Sequence, residues 1–299
     1  MSAVALATSD VESPFHVQGV ALGAMWKDLR VVDEVMPLFT TGGFENARLV
    51  ANHSADCGLI SSNWLARAAS GERPFDARLP LRLMTPLSRG PLFFVAPRDS
   101  RLQTFDDLMG KRVGVGHRNS GMVEHVRTIF AALGIPFTAI EPCYLHSNEG
   151  NRLLLEGEIH AQFEPPYPNP HFDELSRQID LKILSFSPEQ RRRILDAVPY
   201  YSECVVPQGT FRGHDRDATE IAVTNVLAVH ANEAEGMVFR LASSVLAHCG
   251  ELMKRNPLFH GLDDLLRDAT RKLIPALANA GAPLHPGAER AFREAGILV

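Results

Sequence analysis

Twelve histidines and four cysteines invite a search for metal or nucleophile chemistry, and their spacing argues against it. His53 and Cys57 lie four apart, but Ser54-Ala55-Asp56 between them reads as a turn. No third ligand is spaced to complete a tetrahedral set. His248 and Cys249 are neighbours that would face different sides of a helix. No C-x-x-C, H-E-x-x-H, G-x-S-x-G or Walker pattern occurs. Neither a metal nor a cofactor is therefore expected. Cys57, Cys143, Cys204 and Cys249 are widely separated and read as free, mostly buried thiols, pairing being open only to an exported protein.

The more informative chemistry lies in polar loops that follow strand-like runs. His117-Arg118-Asn119-Ser120-Gly121 directly follows one such run and opens a helix. Free backbone amides at a helix start, with a guanidinium beside them, form a ready anion site. Ser9 to Ser13 makes an equivalent loop before the first helix, and Ser61-Ser62-Asn63 a third. Ligands of open α/β sheets collect at the carboxyl ends of strands, where these loops fall. Each loop taken singly also fits an ordinary polar turn or capped helix. The stiff segment Phe163-Glu164-Pro165-Pro166-Tyr167-Pro168 fits a pocket lining or a rigid surface turn equally well.

Alternating strand and helix signals would position these loops. Val4 to Thr8 is a short apolar run, and Ser13-Pro14 opens a helix with Val17, Val20, Ala21, Ala24 and Met25 at helical spacing. Arg30 to Phe39 reads as a second strand, Phe44 to His53 as a short helix, and Cys57 to Ile60 as a third strand. A second set begins with the strand Leu92 to Ala96 and the capped turn Thr104 to Leu108. There follow a strand from Lys111 to Gly116 and a helix from Ser120 whose face carries Met122, Val126, Ile129, Phe130 and Leu133. Asn148 to Glu156 reads as a helix, Ile159 to Phe163 and Ile221 to Val229 as strands, and everything after Glu233 as helices. This alternation predicts an α/β fold with a mainly parallel sheet and a helical C-terminal tail.

Composition narrows the function classes. A net charge of −5, with no basic stretch interleaved with aromatics, gives no reason to expect nucleic acid. Arg191-Arg192-Arg193 follows Ser187-Pro188-Glu189-Gln190, a helix-start signature, and reads as a solvated helix face. No apolar run approaches the roughly 20 residues that span a bilayer, so no membrane insertion is expected. Met1 to Thr8 lacks the basic and apolar regions of a signal peptide. The expected location is cytoplasmic if Met1 is the native start, and periplasmic if the numbering begins after a removed signal.

Several segments, in order along the chain, resemble the TAXI-type solute receptors of tripartite (TRAP) transporters. Gly42-Gly43-Phe44-Glu45-Asn46-Ala47-Arg48-Leu49 resembles that family's Gly-x-x-Glu-Asn-x-x-Leu stretch. Ala55-Asp56-Cys57-Gly58, Asp107-Leu108-Met109-Gly110-Lys111-Arg112-Val113 and Pro207-Gln208-Gly209-Thr210-Phe211 are similar to three more of its segments. The most specific likeness is the end, Pro283-Leu284-His285-Pro286-Gly287-Ala288, whose prolines and glycine would turn the chain into a last helix packed on the first lobe.

The resemblance implies a type II, two-lobed periplasmic-binding-protein-like fold. One lobe would comprise residues 1–90 and 228–299 and the other 91–227, with hinge strands near Leu92–Ala96 and Ile221–Val229. It implies a small, carboxylated ligand held by loops after the strands. Arg118 and the amides of Asn119, Ser120, Gly121 and Met122 would hold the anionic group. Asp10, His16, Ser62, Glu164 and Tyr167 would set specificity, with Ser9, Phe15, Ser61 and Asn63 beside them. The family's pocket is rewritten here. Its glycine-rich first loop appears as Ser9 to Val17, its pocket Gln as Ser61, its Gly-Ser-Gly-Thr loop as Asn119 to Met122, and an expected aspartate as His160. An exported receptor would have TRAP membrane subunits as partners. The alternative is an enzyme on the same fold, a decarboxylase or desulfinase of small aromatic or organic acids, with His16 and His160 as acid/base groups.

Overall fold

The computed structural model describes residues 3–11, 13–118, 120–164 and 170–298, the side chains of Ser147, Glu164 and Pro170 excepted. In chain order the elements begin with β1 (Ala3–Ala7), α1 (Pro14–Asp28), β2 (Glu34–Leu38), α2 (Gly43–Ala51), β3 (Cys57–Ser61), α3 (Ser62–Ser70) and the long β4 (Leu81–Pro97). The middle of the chain supplies β5 (Arg112–Gly114), α4 (Gly121–Ala132), β6 (Glu141–Cys143), α5 (Ser147–Leu155), β7 (Ala161–Glu164), α6 (Pro170–Gln178), β8 (Leu181–Ile183), α7 (Pro188–Ala197) and β9 (Tyr201–Val206). A second long strand, β10 (Ala218–His230), precedes α8 (Glu235–Ala247), α9 (Cys249–Arg255), α10 (Leu262–Ala269), α11 (Leu273–Asn279) and α12 (Pro286–Glu294). The chain forms two compact units, Met1–Arg89 with Thr224–Val299 and Gly90–Val223, and it passes from one to the other inside β4 and β10. None of its helices, among the described residues, is long and apolar enough to cross a membrane.

The first unit is built on the strand order β2-β1-β3-β10. β1 runs parallel to both β2 and β3, so the carboxyl ends of all three fall on one edge. β10 closes the far side antiparallel to β3, with Asn225 opposite Ser61. Ser13 caps α1 by accepting from the His16 amide, and Pro14 occupies its first turn. The buried face of α1 differs from the one its apolar spacing suggests. Gln18, Gly19, Leu22, Gly23, Met25 and Trp26 are buried, while Val20 is exposed. The reason is close approach: a Cβ on Gly19 would stand 2.6 Å from Thr8 Cγ2, and one on Gly23 3.2 Å from Val35. Small residues let the helix settle onto β1, and a hydrophobicity count cannot register them.

The Pro283–Ala288 segment has a structural role in this unit. The Leu83 amide donates to the Pro283 carbonyl and the His285 amide to the Leu83 carbonyl, adding a short bridge beside β4. His285 then caps α12 through Nδ1, which accepts from the Gly287 amide. A Cβ on Gly287 would overlap the Glu235 carbonyl oxygen and stand 2.9 Å from the Phe239 nitrogen, so α12 lies directly on α8. The Arg290 guanidinium covers the Phe239 ring at 3.6 Å.

The second unit has the order β4-β7-β5-β6, with β8 pairing β4 and β9 pairing β10. β5, β6 and β7 run parallel, and β4 runs antiparallel to β7. Alternate residues of β4 serve two cores: Leu92, Phe94 and Ala96 pack on one face of the sheet, Phe93 and Val95 on the other. A sheet covered on both faces explains why Leu92–Ala96 is continuously apolar. On one side Phe94 meets Phe105, Phe163 and Phe186, and on the other Phe93 meets Phe172 and Phe211. The Ser187–Gln190 capping box opens α7. Its arginines are only partly a solvated face: Arg191 pairs with Glu203 at 3.0 Å and donates to the Phe186 carbonyl, and Arg193 donates to the Leu133 carbonyl. None of the four cysteines is in a disulfide, but only Cys57 is buried, where the lack of solvation pushes its thiol far above the ordinary range; the other three are half-buried.

Candidate functional site

In the first unit the carboxyl edge of β1, β2 and β3 is organised by a hydrogen-bonded frame. The Thr8 amide and hydroxyl both donate to the Leu38 carbonyl, joining the loops after β1 and β2. The buried Asn46 side chain donates to the carbonyls of Thr8 (2.6 Å) and Leu59 (2.7 Å), so one amide group ties the ends of β1 and β3. The Thr40 hydroxyl lies 2.6 Å from Asn46 Oδ1 and accepts from the Gly42 amide. Glu45 accepts from the Thr41 amide and hydroxyl at 2.8 Å each, and those bonds, the amide first, hold its carboxyl below the usual carboxylate range. The Glu45-Asn46 pair therefore serves to fix the loops at this edge.

On that frame sit Ser9 and Asp10, half-buried and exposed, in the loop after β1, with Phe15 and His16 on the first turn of α1. The His16 ring stacks on Phe39, centroids 5.2 Å apart, and Phe39 is 62% exposed just past β2. Ser61, Ser62 and Asn63, at the junction of β3 and α3, are all buried. α2 and α3 both start here without a side-chain cap, leaving first-turn amides at the edge. The structure thus brings the Ser9–His16 and Ser61–Asn63 loops together.

Three buried polar atoms at this edge have no partner among the described residues: His16 Nδ1, Gln18 Oε1 and Asn63 Oδ1. Leaving such an atom unpaired costs about 1–3 kcal/mol, so a cluster of them calls for an explanation. Gln18 belongs to a buried chain in which its Nε2 donates to Ser88 Oγ at 3.0 Å and Asn225 Nδ2 donates to the same oxygen at 3.2 Å. Sequence reading missed Gln18, Ser88, Asn225 and Phe39. The available signal was a polar residue interrupting an apolar strand, as Asn225 interrupts the run Ile221–Val229.

The second unit has its own carboxyl edge, where the loops after β5 and β6 fall. Ser120, Gly121 and Met122 are half-buried at the start of α4, and Ser120 Oγ is buried with no partner among the described residues. Arg118 is exposed, its guanidinium parked over the Tyr144 ring at 4.0 Å. Next to it His117 and His146 stack with centroids 4.5 Å apart. Glu164 ends β7 at this edge; Asn119 and Tyr167 lie outside the described residues, as does the Glu164 side chain. His160 stands elsewhere. It immediately precedes β7, at the opposite edge of the sheet, and its Nδ1 accepts from the Arg112 amide at 3.2 Å. Among the described residues no group of three or more His, Cys, Asp and Glu side chains is arranged to hold a metal ion.

Solved structures of similar fold cover nearly the whole chain. The periplasmic aliphatic sulphonate binding protein SsuA from Escherichia coli aligns at 13% identity over 100% of this chain and 80% of its own, with a TM-score of 0.53. A TctC solute binding protein from Polaromonas aligns at 13% identity over 98% of this chain and 95% of its own, TM-score 0.55. A Xanthomonas citri protein bound to ATP aligns at 12% identity over 98% and 99%, TM-score 0.56. At such identities the likeness is one of fold: the type II periplasmic-binding-protein-like α/β fold with a helical C-terminal region. A model of the NMT1-like family matches residues 6–296, and the chain belongs to that family.

Proposed function

We propose that the protein is a solute-binding protein whose carboxyl-edge loops take a small organic acid or amino acid. The observation that carries this reading is the cluster of unpartnered buried atoms His16 Nδ1, Gln18 Oε1 and Asn63 Oδ1. They lie beside the uncapped first turns of α2 and α3. Carbonyl oxygens of the two amides accept hydrogen bonds, and helix-start amides donate them. A ligand with both a donor group and an anionic group, such as an amino acid or a hydroxy acid, satisfies both sets. Asp10, Phe15 and the exposed Phe39 would then select the rest of the ligand. The aliphatic sulphonate bound by the Escherichia coli protein of similar fold supports the choice of a small anion. Within this reading the protein acts as a TAXI-like receptor for TRAP membrane subunits if exported, or as a cytoplasmic relative if not.

The test is a thermal-shift screen against amino acids, hydroxy acids, dicarboxylates, aromatic carboxylates and aliphatic sulfonates, each hit followed by mass spectrometry. A ligand that raises the melting temperature and is recovered intact supports binding, since selective binding to the folded state stabilises it. Asn63→Ala should reduce the shift produced by that ligand. Consumption of the ligand establishes the alternative, a decarboxylase- or desulfinase-like enzyme, and His16 is then the acid/base candidate that the carboxyl edge offers.

A further inference from the structure

The second unit contains a cavity that the carboxyl-edge loops do not use. It measures about 370 Å³ and is lined by Arg98, Gln103, Lys182, Ser185, Asp215 and Arg216 among others. Arg98 immediately follows β4, which runs antiparallel to β7, so it lies where β7 begins. The loop 116–122 follows β5, which runs parallel to β7, and lies at the other end of the sheet. The two places are therefore separate.

Three cationic side chains line this cavity against one carboxylate. Asp215 is taken by Arg98, at 2.6 Å, and Arg98 also donates to the Gly213 carbonyl. Lys182 is half-buried and gives one hydrogen bond, to the Ser100 carbonyl at 2.9 Å. Burial first, and then the charge of Arg98, pulls its pKa down, while the more weakly acting Asp99 and Asp107 oppose them. Asp107 is already committed to the amides of Gln103 and Thr104 and to the Thr104 hydroxyl. Arg216 makes no ion pair among the described residues. Two N–H groups of the Lys182 ammonium and the Arg216 guanidinium are thus left facing a concave, polar space, with Gln103 as a neutral partner.

We propose that this cavity is a second ligand site, for a compact polyanion bearing at least two phosphate or carboxylate groups. A volume of about 370 Å³ falls at the lower end of the roughly 300–1,000 Å³ typical of small-molecule sites. It accommodates a molecule the size of pyrophosphate or citrate. A single monoanion would pair directly with only one of Lys182 and Arg216, neither of which makes an ion pair among the described residues; a polyanion bridges both.

Titration calorimetry at low ionic strength tests this with pyrophosphate and citrate, against sodium chloride at matched ionic strength. At least one polyanion should bind the wild-type protein, and which one binds tells phosphate from carboxylate. Lys182→Gln and Arg216→Gln should each weaken that binding by about tenfold, the scale of one charge-assisted hydrogen bond. The pair together should abolish it. Arg216 is exposed and without an ion pair, so Arg216→Gln folds normally and keeps the test decisive if Lys182→Gln does not. No binding of either probe overturns the proposal. So does binding that survives the double substitution, or a response that sodium chloride reproduces. The result does not depend on whether the carboxyl-edge loops bind a solute.

Discussion

Glu220 offers a quantitative test of the second unit's packing. It sits on β10 opposite Cys204 of β9, is fully buried, and neither carboxylate oxygen has a hydrogen-bond partner of ordinary geometry among the described residues. Burial drives its pKa from 4.5 up to about 7; Ser185, Arg191 and the Phe186 amide approach closely enough to pull it partly back. A rise of about 2.5 units, at 1.36 kcal/mol each, is roughly 3 kcal/mol of preference for the protonated form in the folded state. Below pH 4.5 the group is protonated folded or unfolded, and its contribution is fully present. Between 4.5 and about 7 only the folded state keeps the proton, so stability falls as pH rises. Above about 7 the loss is complete. Glu220→Gln removes this titration while keeping the shape. The variant should match wild type near pH 4.5 and exceed it by roughly 3 kcal/mol at pH 8.5. Urea denaturation followed by far-UV circular dichroism measures the difference. Tryptophan fluorescence gives an internal comparison, since Trp26 and Trp64 both lie in the first unit. A difference that does not vary between pH 5 and 8.5, or a variant less stable at pH 8.5, would refute the reasoning.

Two further substitutions probe the first unit. Gly287→Ala should cost about 3 kcal/mol in denaturant unfolding, because its Cβ meets the backbone of α8 at Glu235 and Phe239 and neither helix can yield without unpacking. Gly250→Ala, in α9 with open space around it, should instead stabilise by up to about 1 kcal/mol. Asn46→Ala should cost about 2 kcal/mol by removing the side-chain donor to the Leu59 carbonyl and leaving the Thr8 carbonyl the Thr40 hydroxyl alone, and should weaken the solute-induced thermal shift more than Asn52→Ala, an exposed residue at the other end of α2.

The loops were legible because their chemistry is local. Ser13-Pro14 and Ser187–Gln190 mark helix starts through side-chain-to-backbone bonds that neighbouring residues make, and both begin where those residues imply. The long-range facts were not legible. Gly19 and Gly23 carry no hydrophobic signal, yet they decide which face of α1 is buried. β6 and β8 are three residues each, too short for a period of two to declare itself, and β4 extends back to Leu81 through Pro86 and Ser88. The arginine run read as solvated because its partners, Glu203, the Phe186 carbonyl and the Leu133 carbonyl, come from other elements. His160 was paired with His16 as a second acid/base group, but it precedes β7 and so faces away from the β5 and β6 loops. Gln18, Ser88 and Asn225 are far apart in sequence, on α1, β4 and β10, and meet only through the folding of those elements onto one another.

The most direct test of the solute-binding account is hydrogen–deuterium exchange with and without the strongest hit of the thermal-shift screen. The account predicts slower exchange in the amides of residues 8–18, 39–46 and 61–66, with the ligand recovered unchanged. Slower exchange confined to other segments, or a ligand converted to product, would contradict it.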